Sequence, residues 1–161
     1  MERTDWRREA RRLREASPRH VLFLCVANSA RSQMAEGLAR SVAPPGIKIS
    51  SAGSTPSQVN PFAIRALEEL GIGAAGQRSK GVDAIRQADG PPVDAVITLC
   101  AEEVCPVWLG DAHRIHWPLP DPAAATGGEE AILDAFREVR DELKRRLAVV
   151  FGPADPAVAE D

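Results

Sequence analysis

A cysteine and an arginine separated by five residues are the side chains of this sequence best placed to do chemistry. They bound the segment Cys25-Val26-Ala27-Asn28-Ser29-Ala30-Arg31, which Ser32 follows. The segment lies between an apolar run and an amphipathic stretch, so it should form a loop whose N–H groups face inward at a helix N-terminus. Such a loop is a cradle for a tetrahedral oxyanion. The same positive field favours the thiolate of Cys25, and a nucleophile inside an anion site implies attack on the anion's central atom.

Three further side chains of the loop support this interpretation. Asn28 tolerates the left-handed backbone that a tight loop needs, and its amide is able to tie the loop together. Ser32 is a hydrogen-bond donor for the thiolate. Arg31 offers a planar fork for two oxygens of the bound anion. The alternative, a structural cysteine beside a surface arginine, leaves Asn28 and Ser32 without a role.

The elements that must position this loop alternate between strand and helix. Apolar runs predict strands at 21–24, 47–51, 93–99 and 114–117, and helical periodicity predicts helices at 31–42 and 129–150. Asn60-Pro61 predicts the start of another helix, which Gly71 ends. This order indicates a doubly wound α/β fold with a parallel sheet. Ligands bind outside the carboxyl ends of such strands, where Cys25, Cys100 and Asp121 should meet.

The sequence divides into an N-terminal extension, a catalytic domain and a tail. Residues 1–19 contain seven arginines, with Trp6, Ala10 and Leu13 on one helical face, and predict a short helix packed loosely on the domain or a partner-docking arm. Residues 20–151 form the predicted catalytic domain, and 152–161 a flexible tail. On the helix at 31–42, the residues expected to face inward are Met34, Ala35, Leu38 and Val42.

Composition excludes several classes of function. A net charge of −3 argues against nucleic acid as a partner, and no apolar run reaches the roughly 18 residues of a membrane span. Three cysteines do not make an extracellular disulfide framework, so we expect a cytoplasmic protein. We also expect no bound cofactor or metal. The glycine motif at 71–76 follows a helix instead of a strand, and the cysteine and histidine spacing is too short for zinc in the set Cys100, Cys105, His113 and His116.

Residues 25–37 resemble the P-loop of low-molecular-weight protein tyrosine phosphatases and their arsenate reductase relatives. The resemblance runs from about residue 21 to 151 and includes the motifs Ser51-Ala52-Gly53, Asn60-Pro61, Ile97-Thr98-Leu99-Cys100, His116-Trp117 and Asp121-Pro122. It implies a flavodoxin-like, four-stranded parallel sheet with helices on both faces. It also implies that Cys25 is the nucleophile and Asp121 the general acid.

Two departures from the phosphatase pattern favour the reductase branch. Gln33 stands where these phosphatases usually have proline, and the chain has no tyrosine to grip phosphotyrosine. The pocket should therefore take a bare anion, arsenate, with phosphate or sulfate able to occupy the same loop. The resemblance implies that Cys100 and Cys105 relay a disulfide from Cys25 to thioredoxin, although their spacing is shorter than usual in the family.

The resemblance also concerns an ion site. Family members that bind potassium do so near the positions of Asn28, Glu36 and Ser51 with a further acid, and this chain has Lys80 in the place of that acid. We therefore predict that the Lys80 ammonium replaces the ion by pairing with Glu36.

Other functions remain open at this point. The same loop would serve a phosphatase, in which Cys100 only protects Cys25 as a reversible disulfide. It would also serve an oxyanion-sensing domain, although a sensor needs no general acid. A reductase coupled to a small thiol is a further possibility, but such relatives generally lack the relay cysteines.

Overall fold

The computed structural model describes residues 5–74, 76–101, 107–108 and 110–152. The helices are α1 Trp6–Ala16, α2 Arg31–Val42, α3 Pro61–Glu68, α4 Val82–Gln87 and α5 Glu129–Phe151, with a short 3-10 helix at Pro122–Ala124. The strands are β1 His20–Cys25, β2 Lys48–Gly53, β3 Ala95–Thr98 and β4 His113–His116. No helix in these described ranges is long and apolar enough to cross a membrane.

The four strands form one parallel sheet in the order β2-β1-β3-β4. Every residue of β1 is buried, and its side chains alternate between two apolar clusters. Val21 and Phe23 pack on one face with residues of α1, α2, α3 and α5, whereas Leu22 and Leu24 pack on the other face with Ile85 of α4. Period-two alternation thus places helices on both faces, which confirms the predicted fold.

Most predicted elements form close to their expected bounds. Helix α2 spans the predicted residues, and Asn60 caps α3 by accepting a hydrogen bond from the N–H of Phe62 at 2.8 Å. The prediction for Val42 was wrong, since 41% of this residue is exposed at the last turn of α2. Helix α4 was not predicted, because its six residues are too few to show a helical period.

Helix α1 is part of the main core instead of a loosely packed appendage. Its side chains Ala10 and Leu13 are fully buried, and the guanidinium of Arg14 donates to the carbonyl of Val149 in α5 at 3.3 Å. Asp5 caps the helix by accepting from the N–H of Arg7 at 3.0 Å. Because its apolar face is covered, α1 has an anchored position next to α5.

A buried histidine at the start of β1 makes stability depend on pH. The His20 imidazole lies 2.9 Å from the carbonyl of Pro91 and 2.8 Å from the hydroxyl of Ser50. Burial lowers the pKa of His20 below its ordinary value of 6.5. The unfolded chain therefore binds the extra proton first, and stability is lost as the pH falls through the unfolded value.

We expect the free energy of unfolding to fall between pH 7.5 and 5.5, and to fall less in a His20→Gln variant. Urea denaturation at both pH values measures the difference. A Ser50→Ala variant is the matched control, because it removes the hydroxyl but keeps the buried imidazole. Equal pH dependence in His20→Gln and the parent protein would contradict the assignment.

Candidate active site

The carboxyl ends of three adjacent strands bring the predicted reacting groups to one edge of the sheet. Cys25 ends β1, and the N–H of Leu99 continues the β1–β3 ladder by donating to the carbonyl of Leu24 at 2.9 Å. The N–H of Leu119, beyond β4, donates in turn to the carbonyl of Leu99 at 3.1 Å. Cys100 directly follows Leu99, and Asp121 lies two residues after Leu119.

The loop after Cys25 is held from outside by its carbonyl groups. The carbonyls of Val26, Ala27 and Ser29 accept hydrogen bonds of 2.9, 3.2 and 3.0 Å from the N–H groups of Thr55, Ser57 and Asn60. In a planar trans peptide the N–H points away from the C=O, so the N–H groups of these peptides face the interior of the loop. Inward N–H groups next to the N-terminus of α2 are the arrangement that the predicted oxyanion cradle requires.

Asn28 fixes the shape of the loop with four hydrogen bonds. Its backbone has φ of 48°, the left-handed conformation that the sequence predicted. The side-chain N–H groups donate to the hydroxyls of Ser32 and Ser51 at 2.8 and 2.9 Å. Its carbonyl oxygen accepts from Gln33 Nε2 at 3.0 Å and from the backbone N–H of Lys80 at 2.9 Å. Asn28 is fully buried, so these contacts are shielded from solvent.

Cys25 is a free thiol at the base of the loop. Its Sγ lies 2.8 Å from Ser32 Oγ, and only 3% of the residue is exposed. Since Ser32 Oγ already accepts from Asn28, its own proton is available to the sulfur.

Arg31 links the loop to the two neighbouring strand ends. Its Nη1 donates to the carbonyl of Leu119 at 3.0 Å and to that of Leu99 at 3.4 Å. The residue is 4% exposed, so the guanidinium is desolvated and oriented. A bound dianion in the loop would meet a positive charge that needs little reorganisation.

The remaining predicted reacting groups lie in different environments. Cys100 is 1% exposed and disulfide-bonded, whereas Asp121 is exposed and accepts a hydrogen bond from the N–H of Ala123 at 3.0 Å. Cys105 lies outside the described residues.

The predicted contact between Lys80 and Glu36 is present behind the loop. Lys80 Nζ lies 3.4 Å from Glu36 Oε1, which also accepts from Ser51 Oγ at 2.5 Å. Arg40 Nη1 lies 2.7 Å from the other carboxylate oxygen. Burial lowers the pKa of Lys80 below its ordinary value, and the Glu36 carboxylate opposes that shift. Two cations therefore compensate one carboxylate that is 2% exposed.

Sequence reasoning missed the roles of three residues around the loop. A Cβ atom on Gly53 would lie 2.3 Å from the carbonyl oxygen of Val26, so only glycine permits this approach of β2 to the loop. The buried amide of Gln33 donates to the carbonyls of Asn28 and Arg78 at 3.1 and 2.9 Å. Gln77 Nε2 holds Gln33 Oε1 at 2.7 Å. The sequence signals were the unusual Gln33 and the place of Gly53 in the motif Ser51-Ala52-Gly53.

Among the described residues, the structure forms no group of three or more His, Cys, Asp or Glu side chains suited to a metal ion.

The sequence model of the low molecular weight phosphotyrosine protein phosphatase family matches residues 20–155. The chain belongs to this family. The match covers the sheet, the loop and the segment of Asp121, and it confirms the predicted resemblance. Helix α1 lies outside the matched range.

Three arsenate reductases show which branch of the family this chain is similar to. An arsenate reductase of Halalkalibacterium halodurans is 41% identical over 129 residues, which are 79% of this chain and 91% of that protein. A solved structure of an arsenate reductase in the phosphate-binding state has a TM-score of 0.65 and 33% identity, covering 88% of this chain and 98% of its own. The structure of a thioredoxin-dependent arsenate reductase of Corynebacterium glutamicum has a TM-score of 0.58 and 28% identity. The match covers 89% of this chain and 69% of that one.

Proposed function

We propose that this protein is an arsenate reductase that uses thioredoxin as its reductant and works in the cytoplasm. The observation that carries the proposal is a free Cys25 thiol at the base of the loop after β1, together with a disulfide-bonded Cys100 two residues beyond the end of the adjacent strand β3. A hydrolytic site needs only the first of these cysteines, whereas a reductive relay needs both. The similarity to named arsenate reductases supports the same conclusion.

The first step joins sulfur to arsenic. The Cys25 thiolate attacks arsenate held by the amides of residues 26–32 and by Arg31, an As–O bond breaks, and Asp121 gives its proton to the departing oxygen, which leaves as water. The amides and guanidinium stabilise the charge that develops on the remaining oxygens. This step changes no oxidation state.

The second step transfers two electrons. The Cys100 thiolate attacks Cys25 Sγ, the S–As bond breaks, and arsenic keeps the bonding electron pair, so that As(V) becomes As(III) and arsenite leaves. A Cys25–Cys100 disulfide remains. Cys105, as a thiolate, then attacks Cys100 and releases Cys25, and thioredoxin reduces the resulting Cys100–Cys105 disulfide. The observed combination of a free Cys25 with an oxidised Cys100 fits the end of this sequence.

The direct test supplies purified protein with arsenate, NADPH, thioredoxin and thioredoxin reductase. We expect arsenate-dependent NADPH consumption with one arsenite formed for each NADPH oxidised. Replacing the thioredoxin system with glutathione, glutaredoxin and glutathione reductase should give no turnover. Turnover with the glutathione system alone would overturn the choice of reductant, and absence of turnover with every thiol donor would overturn the function.

Phosphoester hydrolysis is the second candidate, because the family is defined by phosphatases. The loop, Arg31 and Asp121 would serve it without change. The structure favours reduction, since hydrolysis assigns no role in turnover to the buried Cys100 at the neighbouring strand end.

We further propose that Lys80 takes the place of a bound potassium ion behind the loop. Replacing sodium by potassium should leave arsenate turnover unchanged, because an ammonium already occupies the space beside Glu36. A several-fold rise in activity with potassium would contradict this role.

A Lys80→Met variant should lose about 2 kcal/mol of stability, less than is usual for a broken buried pair because Arg40 still faces Glu36. Urea denaturation measures the loss. Lys144→Met is the matched control, since Lys144 is exposed on α5. Equal stability of the two variants would show that the Glu36 carboxylate does not depend on Lys80.

A further inference from the structure

Trp117 connects helix α1 to the segment that carries Asp121. Its indole is 1% exposed and meets the ring of Trp6 edge-on, with ring centroids 6.5 Å apart and planes at 85°. The guanidinium of Arg146, on α5, lies 5.3 Å from the Trp6 ring centroid and 5.5 Å from that of Trp117. Such edge-to-face and cation–π contacts fix ring orientation as well as burying area.

A carboxyl group of α1 faces the same indole. Glu9 Oε1 and Trp117 Nε1 are both buried, and within the described part of the chain neither has a partner at hydrogen-bond distance. Burial raises the pKa of Glu9, while the nearby Trp117 indole and Arg146 guanidinium oppose the rise. Helix α1 thus places the ring of Trp6 and the carboxyl group of Glu9 against the indole of Trp117, which directly follows β4.

The chain beyond Trp117 is stiff. It runs Trp117-Pro118-Leu119-Pro120-Asp121-Pro122, with proline at every second position. Proline fixes its own φ and restricts the residue before it, so few backbone torsions remain free in this segment. Four residues of extended chain span roughly 13 Å. The position of Trp117 therefore restricts the positions that Asp121 can take.

The same segment also holds the anion-binding guanidinium. The N–H of Trp117 donates to the carbonyl of Thr98 at 2.8 Å, and the carbonyl of Leu119 accepts from Arg31 Nη1 at 3.0 Å. Asp121 follows two residues later and caps the 3-10 helix Pro122–Ala124. The segment 117–121 thus begins at Trp117, contacts Arg31 through the carbonyl of Leu119 and ends at Asp121, the proposed general acid.

We propose that α1 is a positioning element for the reaction, in which Trp6, acting through Trp117 and the proline-rich segment, sets the position of Asp121. This inference rests on the proposed function for the role of Asp121. It gives the residues before position 20, which the family match does not include, a specific part in catalysis.

The first test does not depend on any activity. Hydrogen exchange of backbone amides in Trp6→Ala should be faster at Trp117 and Leu119 than in the parent protein, and unchanged at Gly53 on the far side of the loop. Arg8→Ala, an exposed change on the same helix, is the matched control and should alter neither region. Unchanged exchange at Trp117 and Leu119 in Trp6→Ala would overturn the proposal.

The second test asks whether the effect passes through Asp121. Trp6→Ala should lower kcat for arsenate by about ten-fold with little change in KM, since displacement of a proton donor slows chemistry more than binding. In an Asp121→Asn background the same substitution should change the single-turnover rate less than about two-fold, because residues acting as a unit are not additive. A full ten-fold loss in that background would show a general structural effect and overturn the proposal.

Two further measurements separate the possible failures. Trp6→Phe keeps an aromatic ring on Trp117 and should recover most of the parent kcat, and it replaces Trp6→Ala if the alanine variant does not fold. Failure of Trp6→Phe to recover activity or the parent exchange rates would overturn the proposal. If the parent protein reduces no arsenate, the proposed function fails, and the exchange experiment still decides whether α1 holds the segment.

Discussion

Replacing Cys100 with serine should abolish arsenite formation while leaving the oxyanion loop intact. Without Cys100, no thiolate attacks Cys25 Sγ to break the S–As bond of the adduct. The first step can then only reverse. Serine is close to cysteine in size and can keep the buried position of Cys100 just beyond β3, so anion binding and the reactivity of Cys25 should survive. Arsenite release and alkylation of Cys25 by iodoacetamide measure these two properties separately.

A Cys105→Ala variant is the matched control for this experiment. It retains Cys25 and Cys100, so it should release a stoichiometric burst of arsenite and then stop with a Cys25–Cys100 disulfide. The parent protein should continue as long as thioredoxin is reduced. Sustained arsenite production by Cys100→Ser would exclude the relay, and sustained phosphoester hydrolysis without arsenite formation by the parent would support the phosphatase instead.

A Gly53→Ala variant should lose about 100-fold in kcat/KM for arsenate, although the substitution adds one methyl group. The added Cβ would lie 2.3 Å from the carbonyl oxygen of Val26 and 2.8 Å from the N–H nitrogen of Asn28. Both atoms belong to backbone, so the loop must move as a whole. Its inward N–H groups then no longer converge on one point.

Gly73→Ala is the control for general effects of a glycine substitution, because nothing lies within 4 Å of a Cβ built at that position. It should leave kcat/KM unchanged. Phosphate protection of Cys25 against alkylation gives a second readout, which should weaken in Gly53→Ala alone. Parent-like kinetics in Gly53→Ala would show that the loop is not held by its approach to β2.

The sequence was sufficient to predict features that depend only on local preferences of the backbone and side chains. The bounds of α2, the cap at Asn60 and the left-handed Asn28 follow from periodicity and from backbone preferences of single residues. The convergence of Cys25 and Cys100 at one edge follows from parallel strands. These features depend on neighbours close in sequence or on a general property of the sheet.

The features that were missed depend on tertiary contacts. The requirement for Gly53 appears only when β2 and the loop are placed side by side, and Gln33 shows its role only with Arg78 and Gln77 beside it. Helix α1 was expected to pack loosely because its arginines dominate its composition. Its apolar residues Ala10 and Leu13 are nevertheless fully buried in the main core.

The four hydrogen bonds of the Asn28 side chain have a consequence for selectivity between phosphate and arsenate. A pocket whose shape is fixed by these protein–protein hydrogen bonds recognises charge and tetrahedral shape, which phosphate shares with arsenate. Discrimination then falls to the reductive step, because arsenic leaves Cys25 with the S–As bonding pair as As(III), whereas phosphorus bound to the same sulfur is not reduced from P(V) by a thiol. Cellular phosphate should act as a reversible competitor that sets the arsenate level at which detoxification becomes effective.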